Sequence, residues 1–179
     1  MALGMFRFSV QKRLEKRYLE SMLYSADTAE DLAPLLDDGK PTVIIFGADY
    51  CPTCLEYKPI LARFYARYGD KVTIRYVDVT ANPDIRRVYN IDWVPSTLFF
   101  DREGNPYLPD ESISLQDKAF LLPQRNYVSE TWTPNLGESL GLNPYFEFGT
   151  DETGAICYCK HADIMTYGQL AEIAKILLK

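Results

Sequence analysis

The segment Thr42-Val43-Ile44-Ile45-Phe46 limits the possible folds more than any other stretch of this sequence. It is apolar apart from its first residue and is bounded by Pro41 and Gly47. A run without polar alternation suits a strand buried on both faces, so helices must cover the sheet from both sides. The flanking chain supplies them. Thr28 with Asp31 reads as an N-cap and a helix over Ala29 to Leu36, stopped by Asp38-Gly39. Pro52 to Tyr68 reads as a helix and Val72 to Val79 as a second strand. Asn82-Pro83 opens a short helix to Tyr89, Ser96 to Asp101 is a third strand, and Arg102 to Asn105 is a turn. The order β-α-β-α-β predicts parallel pairing of at least the first two strands. Thr166 to Leu178 closes the chain as a helix with Leu170, Ile173, Ala174 and Leu177 along one face.

Two segments lie outside this pattern. Ser9 to Ser25 alternates charges with Val10, Leu14, Leu19, Met22 and Leu23, which predicts an amphipathic helix packed on the domain. Residues 1–26 are therefore expected to be an N-terminal helical extension and 27–179 the main domain. Pro106 to Gly154 is too long for an ordinary connection. It carries five prolines, buried-type residues such as Ile113, Leu115, Phe120, Leu121 and Leu122, and the aromatics Tyr107, Tyr127, Trp132, Tyr145, Phe146 and Phe148. This reads as a folded insertion over about 105–155 with its own core. Tyr145 to Phe148 and Ala155 to Cys159 flank Asp151-Glu152-Thr153-Gly154 as a hairpin.

Bulk properties exclude several classes. A net charge of -6 and a pI near 4.9 disfavour phosphate backbones, so nucleic acid is not an expected partner. No apolar run approaches the ~20 residues needed to span a bilayer. Met1 to Val10 lacks a signal-peptide core, which predicts a cytoplasmic location; a periplasmic or extracytoplasmic one is the alternative if a signal or anchor has been removed. Four cysteines in 179 residues are too few for a disulfide scaffold. They fall in two close pairs, Cys51/Cys54 and Cys157/Cys159, a pattern that points to redox chemistry or metal binding.

Cys51-Pro52-Thr53-Cys54 sits directly after the buried strand and at the start of a helix. A helix N-terminus offers unpaired N–H groups and partial positive charge, and both favour thiolate over thiol at Cys51. Two intervening residues bring the second sulfur close. Cys51 can then attack a disulfide, and Cys54 can resolve the mixed disulfide that results. Pro52 fits the first helical position, where a missing N–H costs nothing. A lone C-x-x-C also suits half a zinc site.

From Ala48 to Phe100 the sequence resembles the thioredoxin family. The resemblance rests on Ala48-Asp49-Tyr50-Cys51-Pro52-Thr53-Cys54, Pro59-Ile60-Leu61, Tyr68, Lys71 to Ile74, Asn82-Pro83, Tyr89 to Ile91 and Val94-Pro95. Asp163 to Leu178 resembles the family's last helix. The resemblance implies an α/β thioredoxin fold, a central mixed β-sheet flanked by helices, with the insertion between the third strand and the last strand and helix. It implies that Pro59 kinks the active-site helix and that Pro95 is a cis-proline beside the dithiol, with Val94 pairing to an incoming peptide as an added strand. Cys51 and Cys54 are then catalytic, and Tyr50, Pro52, Thr53, Val94 and Pro95 face the substrate. No organic cofactor and no metal are needed. The partners are protein disulfides or dithiols and an external reductant or oxidant.

The sequence departs from the family in informative places. Tyr50 stands where Trp is usual, and Pro52-Thr53 where Gly-Pro is usual. A proline straight after the nucleophile resembles glutaredoxins and periplasmic oxidants, implying a potential above thioredoxin's value of about -270 mV. Ile45 and Tyr76 stand where the family buries an Asp and its partner Lys. A lone buried charge is costly, so both are expected to be lost together. This leaves open which group serves the resolving cysteine; Glu56 and Asp49 are nearby in sequence, and a bound water is the default. Ala162-Asp163 replaces the glycine that normally lines the substrate groove.

Cys157-Tyr158-Cys159 reads as strand, with both sulfurs on one face but too far apart for an easy disulfide. Small buried hydrophobes, a second redox pair, or a metal site with His161 are the three readings. His161, the only histidine, is expected at the surface or as a cap. The leading functional expectation is thiol–disulfide exchange with protein substrates, with glutathione use as a variant. The competing ones are a redox-inactive adaptor that docks a partner through the insertion, and a metal carrier using all four cysteines.

Overall fold

Strand β1 (Thr42–Gly47) is buried along its whole length, as its composition requires. The chain is described by a computed structural model over residues 2–80, 82–107, 146–150 and 156–179, with side chains over 9–80, 82–107 and 158–179. The sheet has five strands in the order β2-β1-β3-β5-β4, where β2 is Thr73–Asp78, β3 Ser96–Phe100, β4 Phe146–Thr150 and β5 Ile156–Ala162. Strand β1 pairs parallel with β2, and the remaining pairs are antiparallel, so the sheet is mixed as expected.

Alternation divides the side chains between two cores. Val43, Ile45, Ile74, Tyr76 and Phe99 pack against Tyr57, Leu61 and Phe64 of helix α3 (Pro52–Tyr68) and Leu170, Ile173 and Ala174 of helix α5 (Tyr167–Leu177). Ile44, Phe46, Val77, Leu98 and Phe100 pack against Leu32, Leu35 of helix α2 (Ala33–Leu36) and Ile85 of helix α4 (Pro83–Val88). The helix expected over Ala29 to Leu36 divides into a 3-10 turn, Ala29–Leu32, and α2. Pro34 lacks the N–H that a continuous helix would use there. The Thr28 capping box forms, with Asp31 accepting the Thr28 N–H at 2.8 Å.

The first helix differs from expectation. It runs Ala2–Met22 rather than Ser9 to Ser25. Leu23 leaves the helix to bridge Tyr76 in parallel, and the Tyr24 N–H donates to the Tyr76 carbonyl at 3.0 Å. The outer edge of β2 is thereby covered. Only the C-terminal part of the expected apolar stripe packs: Met22 is buried, Leu19 lies against the core, and Tyr18 meets Tyr65 of α3 at 5.8 Å, whereas Val10 and Leu14 stay exposed. No helix among the described residues is long and apolar enough to cross a membrane.

Strands β4 and β5 pair where the hairpin is expected, with β5 extending to Ala162. Most of the expected insertion, including Ile113, Phe120, Tyr127, Trp132 and Tyr145, lies outside the described residues. Tyr107 packs edge-on to Phe99 at 6.2 Å.

Gly47 ends β1 where the chain must pass close under a neighbouring side chain. A Cβ at Gly47 would overlap the Tyr76 hydroxyl and ring. Gly47→Ala is therefore expected to cost about 1–3 kcal/mol, read as a lower urea midpoint at an unchanged slope. An unchanged midpoint would contradict this close approach.

Candidate active site

The buried strand delivers the chain to a helix start through one tight turn. The Ala48 carbonyl accepts the Cys51 N–H at 3.2 Å. Cys51 then takes the N-cap position of α3 in an extended conformation, with Pro52 at the head of the helix. The Cys51 sulfur accepts the Cys54 N–H at 3.2 Å, the bond that a capping side chain makes to an otherwise unpaired helix donor. The Cys51 thiol donates to the Val94 carbonyl at 3.4 Å. Ala48, Cys51 and Cys54 form a small apolar cluster against Val94.

The two thiols are not equivalent. Cys51 retains 7% of its surface exposed and Cys54 none. Burial pushes the Cys54 thiol up to about 12, and its hydrogen bond with Cys51 adds to this; a backbone hydrogen bond from Ala48 and the Lys58 charge oppose it. Cys54 is thus held as a thiol at rest.

The Val94-Pro95 bond is cis. The Pro95 carbonyl accepts the Asp163 N–H at 2.9 Å, tying the end of β5 to this loop. Asp163 has φ of 123°, a region that favours glycine. Of Ala162-Asp163, which stand where the resemblance places a groove glycine, Asp163 thus has a glycine-like backbone and carries a carboxylate.

Cys51, Cys54, Val94 and Pro95 are brought together. Tyr50 and Pro52 are exposed and Thr53 is half-buried. Two residues that the sequence reading passes over also stand here. Trp93 is 75% exposed, which is unusual for so large an apolar side chain and, with exposed Tyr50 and Leu55, leaves an apolar surface around the dithiol. Lys58, one turn beyond Cys54, pairs with Asp49 at 2.9 Å. The i, i+4 spacing was the available signal for Lys58, and proximity to Val94-Pro95 was the signal for Trp93.

Cys159 is buried and lies outside the dithiol cluster, while the side chain of Cys157 lies outside the described residues. Among the described residues no three His, Cys, Asp or Glu side chains gather as a metal site. His161 is not at the surface, contrary to expectation: it is 1% exposed, because β5 is an inner strand with Thr97 and Phe146 as its register neighbours.

The thioredoxin family model matches residues 26–119. The thiol:disulfide interchange protein TxlA homolog of Synechocystis sp. is 34% identical over 87 residues, covering 47% of this chain and 48% of that protein. The thioredoxin of Alicyclobacillus acidocaldarius is 30% identical over 83 residues, 43% of this chain and 78% of that protein. The chain thus spans about half the length of the Synechocystis relative. The crystal structure of chloroplastic thioredoxin z matches with a TM-score of 0.50 at 13% identity, covering 87% of this chain and 93% of that one, a likeness of fold.

Burial lowers the His161 pKa from its ordinary value near 6.5, against the opposing Asp163 carbonyl and charge. The unfolded chain therefore binds more protons just below that value. The stability that neutral His161 confers is complete above about pH 6.5 and is lost as pH falls through the folded-state pKa. The urea midpoint is expected to fall between about pH 7.5 and pH 5.5, and His161→Gln is expected to flatten that fall. An identical pH dependence in His161→Gln would contradict the assignment.

Proposed function

Because the chain belongs to the thioredoxin family and has its fold, we propose that it exchanges disulfides with protein substrates through Cys51 and Cys54. One observation carries the reading. The Cys51 sulfur caps α3, bonded to the Cys54 N–H on one side and to the Val94 carbonyl on the other, at a point that is still reachable from solvent.

In the reducing direction the Cys51 thiolate attacks one sulfur of a substrate disulfide. The substrate S–S bond breaks, and the other substrate sulfur leaves as a thiolate. Cys54 then attacks the Cys51 sulfur, forming the Cys51–Cys54 disulfide and freeing the second substrate sulfur. Two electrons pass to the substrate. The positive end of α3 stabilises sulfur charge as it develops on Cys51. Val94 and Pro95 present the peptide, and Tyr50, Pro52 and Thr53 face it. Trp93 extends this surface. No organic cofactor enters, and electrons come from an external reductase or thiol pool. The proposal includes a cytoplasmic setting and a dithiol more oxidising than thioredoxin's.

Insulin-disulfide reduction with dithiothreitol tests this reading. The parent protein is expected to accelerate precipitation of the insulin B chain, and Cys51→Ser to reduce the rate to background. Trp93→Ala is expected to raise KM for insulin about fivefold, roughly 1 kcal/mol of lost contact, with kcat little changed. A parent protein no faster than Cys51→Ser would reject enzymatic exchange.

A further inference from the structure

We propose that Lys58 and the Tyr76 hydroxyl are the positioning groups that let Cys54 ionise when it resolves the mixed disulfide. The inference rests on the exchange reaction proposed above.

Tyr76 is 4% exposed, and its hydroxyl has no hydrogen-bond partner among the described residues. Buried phenols ordinarily find one, so an unpaired hydroxyl calls for an explanation. Its place supplies one. Tyr76 stands opposite Ile45 in the register of β1 and β2, and its hydroxyl lies over Gly47. Gly47 leads directly into Ala48, which packs with Cys51 and Cys54 in one buried cluster. The hydroxyl therefore lies beneath the turn that holds the dithiol. No carboxylate occupies the register position across from it, because that residue is Ile45.

Lys58 approaches the same place from the helix. It follows Cys54 by four residues on α3, which stacks the two side chains on one helix face. Its ammonium is 5.6 Å from the centre of the Tyr76 ring and 2.9 Å from Asp49 Oδ1, with only a quarter of the side chain exposed. Asp49 and the Tyr76 ring thus hold the cation on the helical turn that follows the resolving thiol. The charged and titratable groups that act on Cys54 and Tyr76 are Cys51, Asp49 and Asp78 together with Lys58. Of these only Lys58 is a cation, and its charge favours the Cys54 thiolate. Burial, followed by the neighbouring thiols and carboxylates, raises the Tyr76 pKa, so the phenol stays protonated at neutral pH and remains a donor.

The resolving step balances without a dedicated base. Cys54 loses its proton, and the sulfur forms a bond to Cys51. The bond between Cys51 and the substrate sulfur breaks, and that sulfur leaves with the electron pair. The proton ends on the departing sulfur or in water, according to that sulfur's basicity. Lys58 and Tyr76 supply charge and a hydrogen bond to the transient Cys54 thiolate and are unchanged at the end.

A nitrobenzoate aromatic disulfide mixed with the reduced protein in a stopped-flow instrument separates the two steps. The first burst of coloured thiolate reports attack by Cys51. The second, identified by its loss in Cys54→Ser, reports resolution. Lys58→Met is expected to lower the ratio of second to first rate about tenfold, and Tyr76→Phe about fivefold, with the midpoint of the second-phase pH profile moved upward in each. Lys58→Arg is expected to keep the ratio within about twofold of the parent's, since the charge is retained. A parent-like ratio and pH profile in either Lys58→Met or Tyr76→Phe overturns the proposal, as does a loss in Lys58→Arg equal to that in Lys58→Met. Absence of a first burst in the parent protein overturns the exchange reaction itself, which is a distinguishable result.

Discussion

A strand covered on both faces ends in a tight turn, and the first side chain after that turn caps a helix. Most of the site's chemistry follows from this junction. Because β1 is buried along its length, its direction is fixed by two cores at once. Cys51 can then sit only where the chain turns into α3, with its sulfur taking up the Cys54 N–H. The same turn buries Cys54 completely. Position in the junction separates two chemically identical side chains into one that meets solvent and one that does not.

The loss of the family's buried acid and lysine is resolved in the same region. Ile45 and Tyr76 are register partners, so one position is wholly apolar and the other carries a neutral hydroxyl. Neither places an uncompensated charge in the core, which would be costly. The charge near the dithiol is carried instead by Lys58 and Asp49, at the edge of the site where solvation remains partial.

Much of this was readable from residues alone. The apolar run at Thr42 to Phe46, Pro52 at a helix start and Asn82-Pro83 each give a local signal tied to a backbone requirement, and their elements form where expected. The limits of the first helix, Ala2–Met22, were not readable. Leu23 continues the helical pattern, yet pairing with the open edge of β2 outweighs local preference. His161 departs from its expected surface position for a similar reason. Its burial follows from β5 lying between β3 and β4, a matter of strand order on which a single residue carries no signal. The grouping of Lys58, Asp49 and Tyr76 joins a helix, a loop and a strand, and their sequence separation hides it.

The central claim is the division of labour between the two sulfurs. Mass spectrometry of the protein after incubation with a disulfide-bonded peptide tests it most directly. Cys54→Ser is expected to accumulate a stable mixed disulfide on Cys51, while Cys51→Ser accumulates none on Cys54. A mixed disulfide mapped to Cys54, or equal adducts on both variants, would contradict the account.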